Sequence, residues 1–379
     1  MRISENVLRQ PRSGIRRILE IAQAMENVIH LEIGEPQFET PRHIVAAACE
    51  ALNGGDTKYT PNAGTDELRT AVAARVSQRT GRSISKDHVL VGVGGVEVIN
   101  ATIRTICDAG DNILVPDPAW PNYQTMCTIA NIEPRFYALK AENGFYPDLE
   151  QMKALVDDRT RIMIVNSPSN PLGVMFDAEM MESLCKFAEE HNLYLLSDEA
   201  YEDITYDKTH VSPLKFDPEG KRVIGAYTMS KSYAMTGWRI GYVIAAPEMI
   251  DQMKKLQEAY VSSVAGALQH AAAAAIVSDQ ACVKSMRDEY AVHRQKAMEI
   301  LDQAGMEYLA PNGAFYLWIN VHTEDSTMFA EQFLKEKHVA VAPGSAFGVW
   351  GKSYLRVSLA SSAEEIEEGM RRLVAFCGK

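Results

Sequence analysis

The chain has 379 residues, of which 46% are hydrophobic and 23% charged. That length is about twice an ordinary domain and the balance is that of a soluble globular protein, which excludes disorder, collagen-like repeats and coiled coil. A formal net charge of −12 repels phosphate backbones and anionic membrane surfaces, so neither nucleic acid nor membrane is expected as a partner.

The opening stretch, MRISENVLRQPRSGIRR, is charged from the start and lacks the apolar core of a signal peptide. No later run approaches the ~18 apolar residues of a membrane span, which predicts a cytoplasmic protein. The first 40 or so residues do not read as a βα unit and are expected to form an arm that packs against the C-terminal part. From Val89 the chain alternates. Short apolar, β-branched runs (VLVGV from Val89, NILVP from Asn112, RIMIV from Arg161, LYLLS from Leu193, RVIGA from Arg222, RIGYVIAA from Arg239) are separated by helical segments such as AEMMESLCKFAEEH from Ala178. That rhythm predicts βα units in a mostly parallel sheet covered by helices on both faces, with sites beyond the carboxyl ends of the strands. The alanine run at 271–275 predicts a closely packed helix. After about residue 280 the rhythm changes to a long helix (about Val283 to Ala304), AFYLWINV from Ala314, a helix near Met328, short strands near His338 and Tyr354, and an amphipathic helix from Ala363. This predicts a smaller α+β domain built from both termini: 1–44 as arm and part of the small domain, 45–280 as the large domain, 281–379 as the rest of the small one. The six cysteines (Cys49, Cys107, Cys127, Cys185, Cys282, Cys377) show neither CxxC spacing nor clustering with histidine. Reduced buried thiols are expected, and no metal site.

Five segments carry chemistry. In YTMSKSYAMTGWRIGY (Tyr227–Tyr242) Lys231 would by itself be a solvated surface lysine. Its neighbours Thr228, Ser230 and Arg239 supply hydroxyls and a guanidinium suited to a phosphate, and Gly237 and Gly241 are expected to let the backbone approach closely. A lysine beside cationic and hydroxyl groups can hold a neutral amine that condenses with an aldehyde. In SDEAY, Asp198 ends an apolar strand and needs a cation or strong donors, or else caps a helix. In NSPSNPLG a rigid turn presents Asn170 at a strand end. In GVGGVEVIN, helix N-terminal amides around Gly94, Gly95 and Val96 would cradle an anion, or form only a tight strand-to-helix turn. No third glycine follows, so a dinucleotide fingerprint is absent. In PDPAWPNY, Trp120 at another strand end stacks on a planar ligand or belongs to the core. A lysine amine, a buried carboxylate, a stacking ring and a phosphate cup at successive ends of one sheet fit pyridoxal 5′-phosphate.

From about residue 15 to the C-terminus the chain resembles the class I aminotransferases of the fold type I pyridoxal-phosphate enzymes, related to aspartate aminotransferase. SKSYAMTGWRIGY is highly specific to that family, and SNPLG, SDEAY and YLRVSLA follow in the expected order. The resemblance implies that Lys231 is the Schiff-base lysine and proton shuttle, that Asp198 pairs with the pyridinium nitrogen, and that Tyr201 and Asn170 hydrogen-bond the ring hydroxyl beneath a stacked Trp120. It implies phosphate binding by the amides of Gly94, Gly95 and Val96 with Thr228, Ser230 and Arg239, and a grip on the substrate α-carboxylate by Arg356 with Gly34 and Asn170 nearby. Tyr59 in KYTPNAG would reach the phosphate of a neighbouring subunit, making the enzyme a homodimer with shared sites.

Two departures bear on the substrate. The family's GG-(Lys/Ser/Thr) turn reads GGV here, and the stretch that elsewhere supplies an arginine for a second carboxylate, QEAYVSSVAGALQH from Gln257, carries Tyr260 and serines. A neutral or aromatic amino donor is then at least as well supported as a dicarboxylate, with 2-oxoglutarate the usual acceptor. The implied reaction is ping-pong transamination between an L-amino acid and a 2-oxo acid. A carbon-sulfur β-lyase of the same fold is the near alternative, and a non-catalytic regulatory module the remote one.

Overall fold

The computed structural model describes residues 2–10 and 14–379. At its centre lie seven strands: β1 (Val89–Gly92), β2 (Asn112–Asp117), β3 (Glu133–Ala138), β4 (Thr160–Asn166), β5 (Tyr194–Asp198), β6 (Val223–Thr228) and β7 (Gly241–Ile244). Their spatial order is β1-β7-β6-β5-β4-β2-β3. Only β7 runs antiparallel to its neighbours β1 and β6; the other pairings are parallel.

The middle strands read as unbroken apolar runs because both faces of the sheet are covered. Side chains alternate between the two cores, as the pleat requires. Met163, Val165 and Leu195 enter one, while Ile162, Ile164 and Leu196 enter the other. Six of the seven strands coincide with the sequence reading. The edge strand β3 was not expected: its sequence, EPRFYA, mixes charge with apolar residues, and Phe136 is 41% exposed. An edge strand needs no continuous apolar run, so periodicity gave no signal there. The run from Arg239 also begins later than expected, since Arg239 itself adopts a positive φ of 56° in the turn ahead of β7.

A third core gathers both ends of the chain, with Ile18 and Leu31 packing among Phe315, Leu317, Phe333, Leu355 and Leu373. Ile29–His30 pairs in parallel with Val339–Ala340, and Tyr316–Asn320 pairs antiparallel with Tyr354–Ser358. The arm thus packs on the C-terminal part, as expected. The alanine run lies in helix Gly266–Val277, where Ala271, Ala272, Ala273 and Ala275 are buried. Among the described residues the cysteines form no disulfide. Cys107 and Cys127 are buried, but Cys49 is exposed, which corrects the expectation that the thiols are buried throughout. No described helix is long and apolar enough to cross a membrane.

Candidate active site

The carboxyl ends of β2, β4, β5 and β6 open onto a cavity of about 1870 Å³. Of the residues implied to hold cofactor or substrate, all but Gly94 and Tyr59 line it; Gly237, Gly241 and Tyr260 do not. Gly94 sits just behind the lining, at the start of helix Gly94–Ile106. Tyr59 is 91% exposed and lies away from this cavity.

Lys231 follows β6, half-buried, and its Nζ donates to the carbonyl of Gly34 at 2.6 Å. Burial pushes its amine down to about 8; Glu35 opposes the shift, while Arg356 and Arg239 add to it. An appreciable fraction is therefore a neutral amine near physiological pH, the form that adds to a carbonyl and accepts a proton. A Cβ on Gly34 would stand 2.0 Å from the Tyr316 hydroxyl, so any larger residue there displaces that ring.

Asp198 ends β5 and is 6% exposed. Burial pushes its carboxyl up to about 6, against the hydroxyl of Tyr123 and the amide of Ala200. The Tyr123 Oη donates to Oδ2 at 2.5 Å and the Ala200 amide to Oδ1 at 3.1 Å. Of the alternatives read from the sequence, the strong donor is met by Tyr123; no helix begins at Asp198 for it to cap, and the Ala200 amide belongs to a turn. Tyr123 was not foreseen, although it lies three residues after Trp120 in the same segment; the Trp120 ring meets it edge-on at 5.3 Å.

Arg356 is 3% exposed, which excludes a solvated arginine on a late strand. Its Nη1 donates to Asn170 Oδ1 at 3.0 Å and its Nη2 to the Glu32 carbonyl at 2.5 Å, while Nε is buried without a partner. The guanidinium lies 4.4 Å from the ring centre of Tyr316 and 4.8 Å from that of Phe347. The hydroxyls of Tyr316 and Tyr201 are 2.7 Å apart. Tyr316 and Phe347 were missed as well, because in sequence they are ordinary apolar residues of a strand and a turn.

The N-terminus of helix Gly94–Ile106 lies at the cavity, with Gly95 and Val96 lining it together with Thr228, Ser230 and Arg239. Thr228 Oγ1 donates to Ser230 Oγ at 2.9 Å. A Cβ on Gly94 would meet Arg239 Nη2 at 2.5 Å, and one on Gly241 would meet the Tyr227 carbonyl at 2.6 Å and the Gly95 nitrogen at 2.8 Å. The expectation for Gly241 holds. That for Gly237 does not, since a Cβ there meets nothing within 4 Å. Helix amides, two hydroxyls and a guanidinium form an anion cup, and a buried carboxylate, a partly neutral amine and Arg356 line the same cavity. This donor set fits the phosphate, ring nitrogen and aldehyde of pyridoxal 5′-phosphate.

Comparison with known proteins agrees. The model of the family described as aminotransferase class I and II matches residues 26–373. The chain is 38% identical over 377 residues to an aspartate aminotransferase of Pyrococcus horikoshii, covering 98% of this chain and 96% of that one. It is 35% identical to aromatic-amino-acid aminotransferase 2 of Thermococcus litoralis, covering 95% and 94%. The crystal structure of the Thermotoga maritima aspartate aminotransferase superposes with a TM-score of 0.95 at 32% identity, over 100% of both chains. The fold, the cofactor-shaped donor set and these likenesses together place the chain among the class I aminotransferases, the pyridoxal-phosphate-dependent transferases of amino groups.

Proposed function

We propose that the enzyme transfers the amino group of an L-amino acid with an apolar or aromatic side chain to a 2-oxo acid, with 2-oxoglutarate as acceptor. The order is ping-pong, the donor leaving as its 2-oxo acid before the acceptor enters. The carrying observation is the cavity wall, where Ile15, Val96, Trp120, Phe347 and Val349 present apolar surface. A donor side chain buried against such surface gains ~1.5–3 kcal/mol, whereas the second carboxylate of 2-oxoglutarate must stay hydrated or reach a cation such as Lys352 on the wall. Of the wall's cations, Arg16 and Arg17 are both engaged, Arg17 with Glu331 at 2.5 Å.

In this reading pyridoxal phosphate supplies an aldehyde to hold the amino group and a ring to absorb the electrons released at the substrate Cα. The Gly94, Gly95 and Val96 amides, Thr228, Ser230 and Arg239 would hold its phosphate. Asp198, oriented by Tyr123, would keep a proton on the ring nitrogen. Tyr201 and Asn170 would hydrogen-bond the ring hydroxyl, and Trp120 would cover the ring. Arg356 grips the α-carboxylate and so aims the Cα–H bond at Lys231, whose amine takes the proton and returns it. The division into 1–44, 45–280 and 281–379 belongs to the same proposal, as does a homodimer in which Tyr59 completes the neighbour's phosphate cup.

A second reading, an acidic donor, is favoured by the aspartate aminotransferases among the relatives and by Lys352 on the wall. Adding single amino acids to the holoenzyme and following its visible absorbance separates them. Rapid conversion by phenylalanine, tyrosine or leucine is expected, with aspartate at least ~10-fold slower in kcat/KM; glutamate, the product of the acceptor half-reaction, converts in either reading. The reverse order overturns the apolar reading.

A further inference from the structure

Asp117, the last residue of β2, takes no part in the chemistry above, yet it is 4% exposed beside the cavity. Its carboxylate accepts from two backbone amides of a distant segment, Val349 at 3.1 Å through Oδ2 and Trp350 at 3.3 Å through Oδ1. Two residues further along, the Ala119 amide donates to the Phe347 carbonyl at 2.8 Å. Three hydrogen bonds therefore fasten the end of β2, in the central sheet, to a loop contributed by the C-terminal part of the chain.

That loop consists of two tight turns, Gly344–Phe347 and Val349–Gly351. Its glycines are steric necessities. Gly348 has φ +140°, and a Cβ on it would stand 2.0 Å from Asp117 Oδ1. A Cβ on Gly351 would stand 2.1 Å from the Gly344 carbonyl. Its far side is fixed by Ser345, whose amide donates to Ser326 Oγ at 3.0 Å. The loop carries Phe347, whose ring lies 4.8 Å from the Arg356 guanidinium and edge-on to Trp318 at 5.9 Å. A buried carboxylate is costly to desolvate, and two amide donors offset only part of that cost. Burial accordingly raises the Asp117 carboxyl above its usual range, against the pull of the Val349 and Trp350 amides.

We infer that Asp117 is a positioning residue for substrate recognition: it latches the Gly344–Gly351 loop to the end of β2 and thereby holds Phe347 against Arg356 and Val349 in the substrate wall. The inference rests on the reading of Arg356 as the carboxylate grip. Because every donor and every acceptor carries an α-carboxylate, a loosened latch weakens both substrates together. A residue that shaped only the side-chain pocket would affect one more than the other.

The test uses the holoenzyme with L-phenylalanine, L-aspartate and 2-oxoglutarate. For Asp117→Ala the KM values for amino donor and acceptor are expected to rise together by about tenfold or more, with kcat within about threefold and cofactor affinity unchanged. Asp117→Asn keeps one acceptor oxygen and recovers part of the loss. On a Phe347→Ala background, Asp117→Ala adds little further, as coupled residues do. Hydrogen exchange of the 344–351 amides accelerates in Asp117→Ala while that of the central sheet does not change. Unchanged KM values in Asp117→Ala, in an enzyme where Arg356→Lys raises them, overturn the latch, as does an equal loss of cofactor affinity. If Arg356→Lys leaves KM unchanged, the reading of Arg356 fails instead. The exchange measurement then decides the latch by itself, and unaltered protection at 344–351 overturns it.

Discussion

At the scale of single residues, two titrating groups in the cavity are shifted in opposite directions by the same cause. Burial disfavours charge, so it lowers the Lys231 amine to about 8 and raises the Asp198 carboxyl to about 6. Each stays near neutrality, where a proton can be exchanged at small cost. For Asp198 the shift has a measurable consequence. Its folded value lies above the unfolded ~3.9, so its contribution to stability is fully present below about pH 4 and is lost as pH rises through about 6. The gap is worth ~3 kcal/mol. In protein stripped of cofactor, Asp198→Asn should therefore gain ~3 kcal/mol on the wild type between pH 4 and pH 7, measured by denaturant unfolding, while losing nearly all turnover when cofactor is restored. A gap that closes with rising pH would show that the carboxylate is stabilised rather than strained by its site.

At the scale of elements, the site depends on how closely strands and helices meet. Helix Gly94–Ile106 starts where β7 passes beneath it, and Gly241 is the point of contact. A methyl group there faces backbone atoms at 2.6–2.8 Å, which no rotamer can relieve. Gly241→Ala is expected to cost ~3 kcal/mol or more and to move the phosphate amides. The expected signs are a lower melting temperature and a cofactor dissociation constant raised at least ~10-fold. Gly237→Ala meets open space and should change neither by more than ~0.5 kcal/mol. The sequence presented the two glycines as equals in one motif. Only the antiparallel placement of β7 between β1 and β6 separates them, because it carries Gly241 under the helix and leaves Gly237 in the turn. The same holds for the partners of the predicted residues: Tyr123, Tyr316, Phe347 and Asp117 sit in runs that read as core or turn, and none carries a local signature of its role.

At the scale of the whole molecule, three cores divide the work. Two flank the central sheet and make it rigid, and the third joins both ends of the chain around Arg356. Tyr59 stands outside this arrangement, 91% exposed, so its ring is available to a neighbouring chain. A homodimer that places it in the neighbouring cavity gives a definite outcome. Sedimentation should report twice the chain mass, and Tyr59→Phe should weaken cofactor binding ~10- to 150-fold with the dimer intact, the effect of losing one hydrogen bond of ~1.5–3 kcal/mol to a charged group. A monomer with full affinity would contradict it.

What the sequence determined by itself was the local chemistry and its order: short continuous apolar strand runs, glycine turns into helices, and residue types whose reactivity is intrinsic to their side chains, as with Lys231, Asp198, Arg239 and Arg356. Those signals survive in one dimension because they concern neighbours along the chain. What only the tertiary structure decided was which residues tune that chemistry. Tyr123 meets Asp198 across 75 positions and Asp117 meets Val349 across 232. Hydrogen bonding and desolvation act through distances of a few ångströms, and only the packed sheet brings such separations to that range.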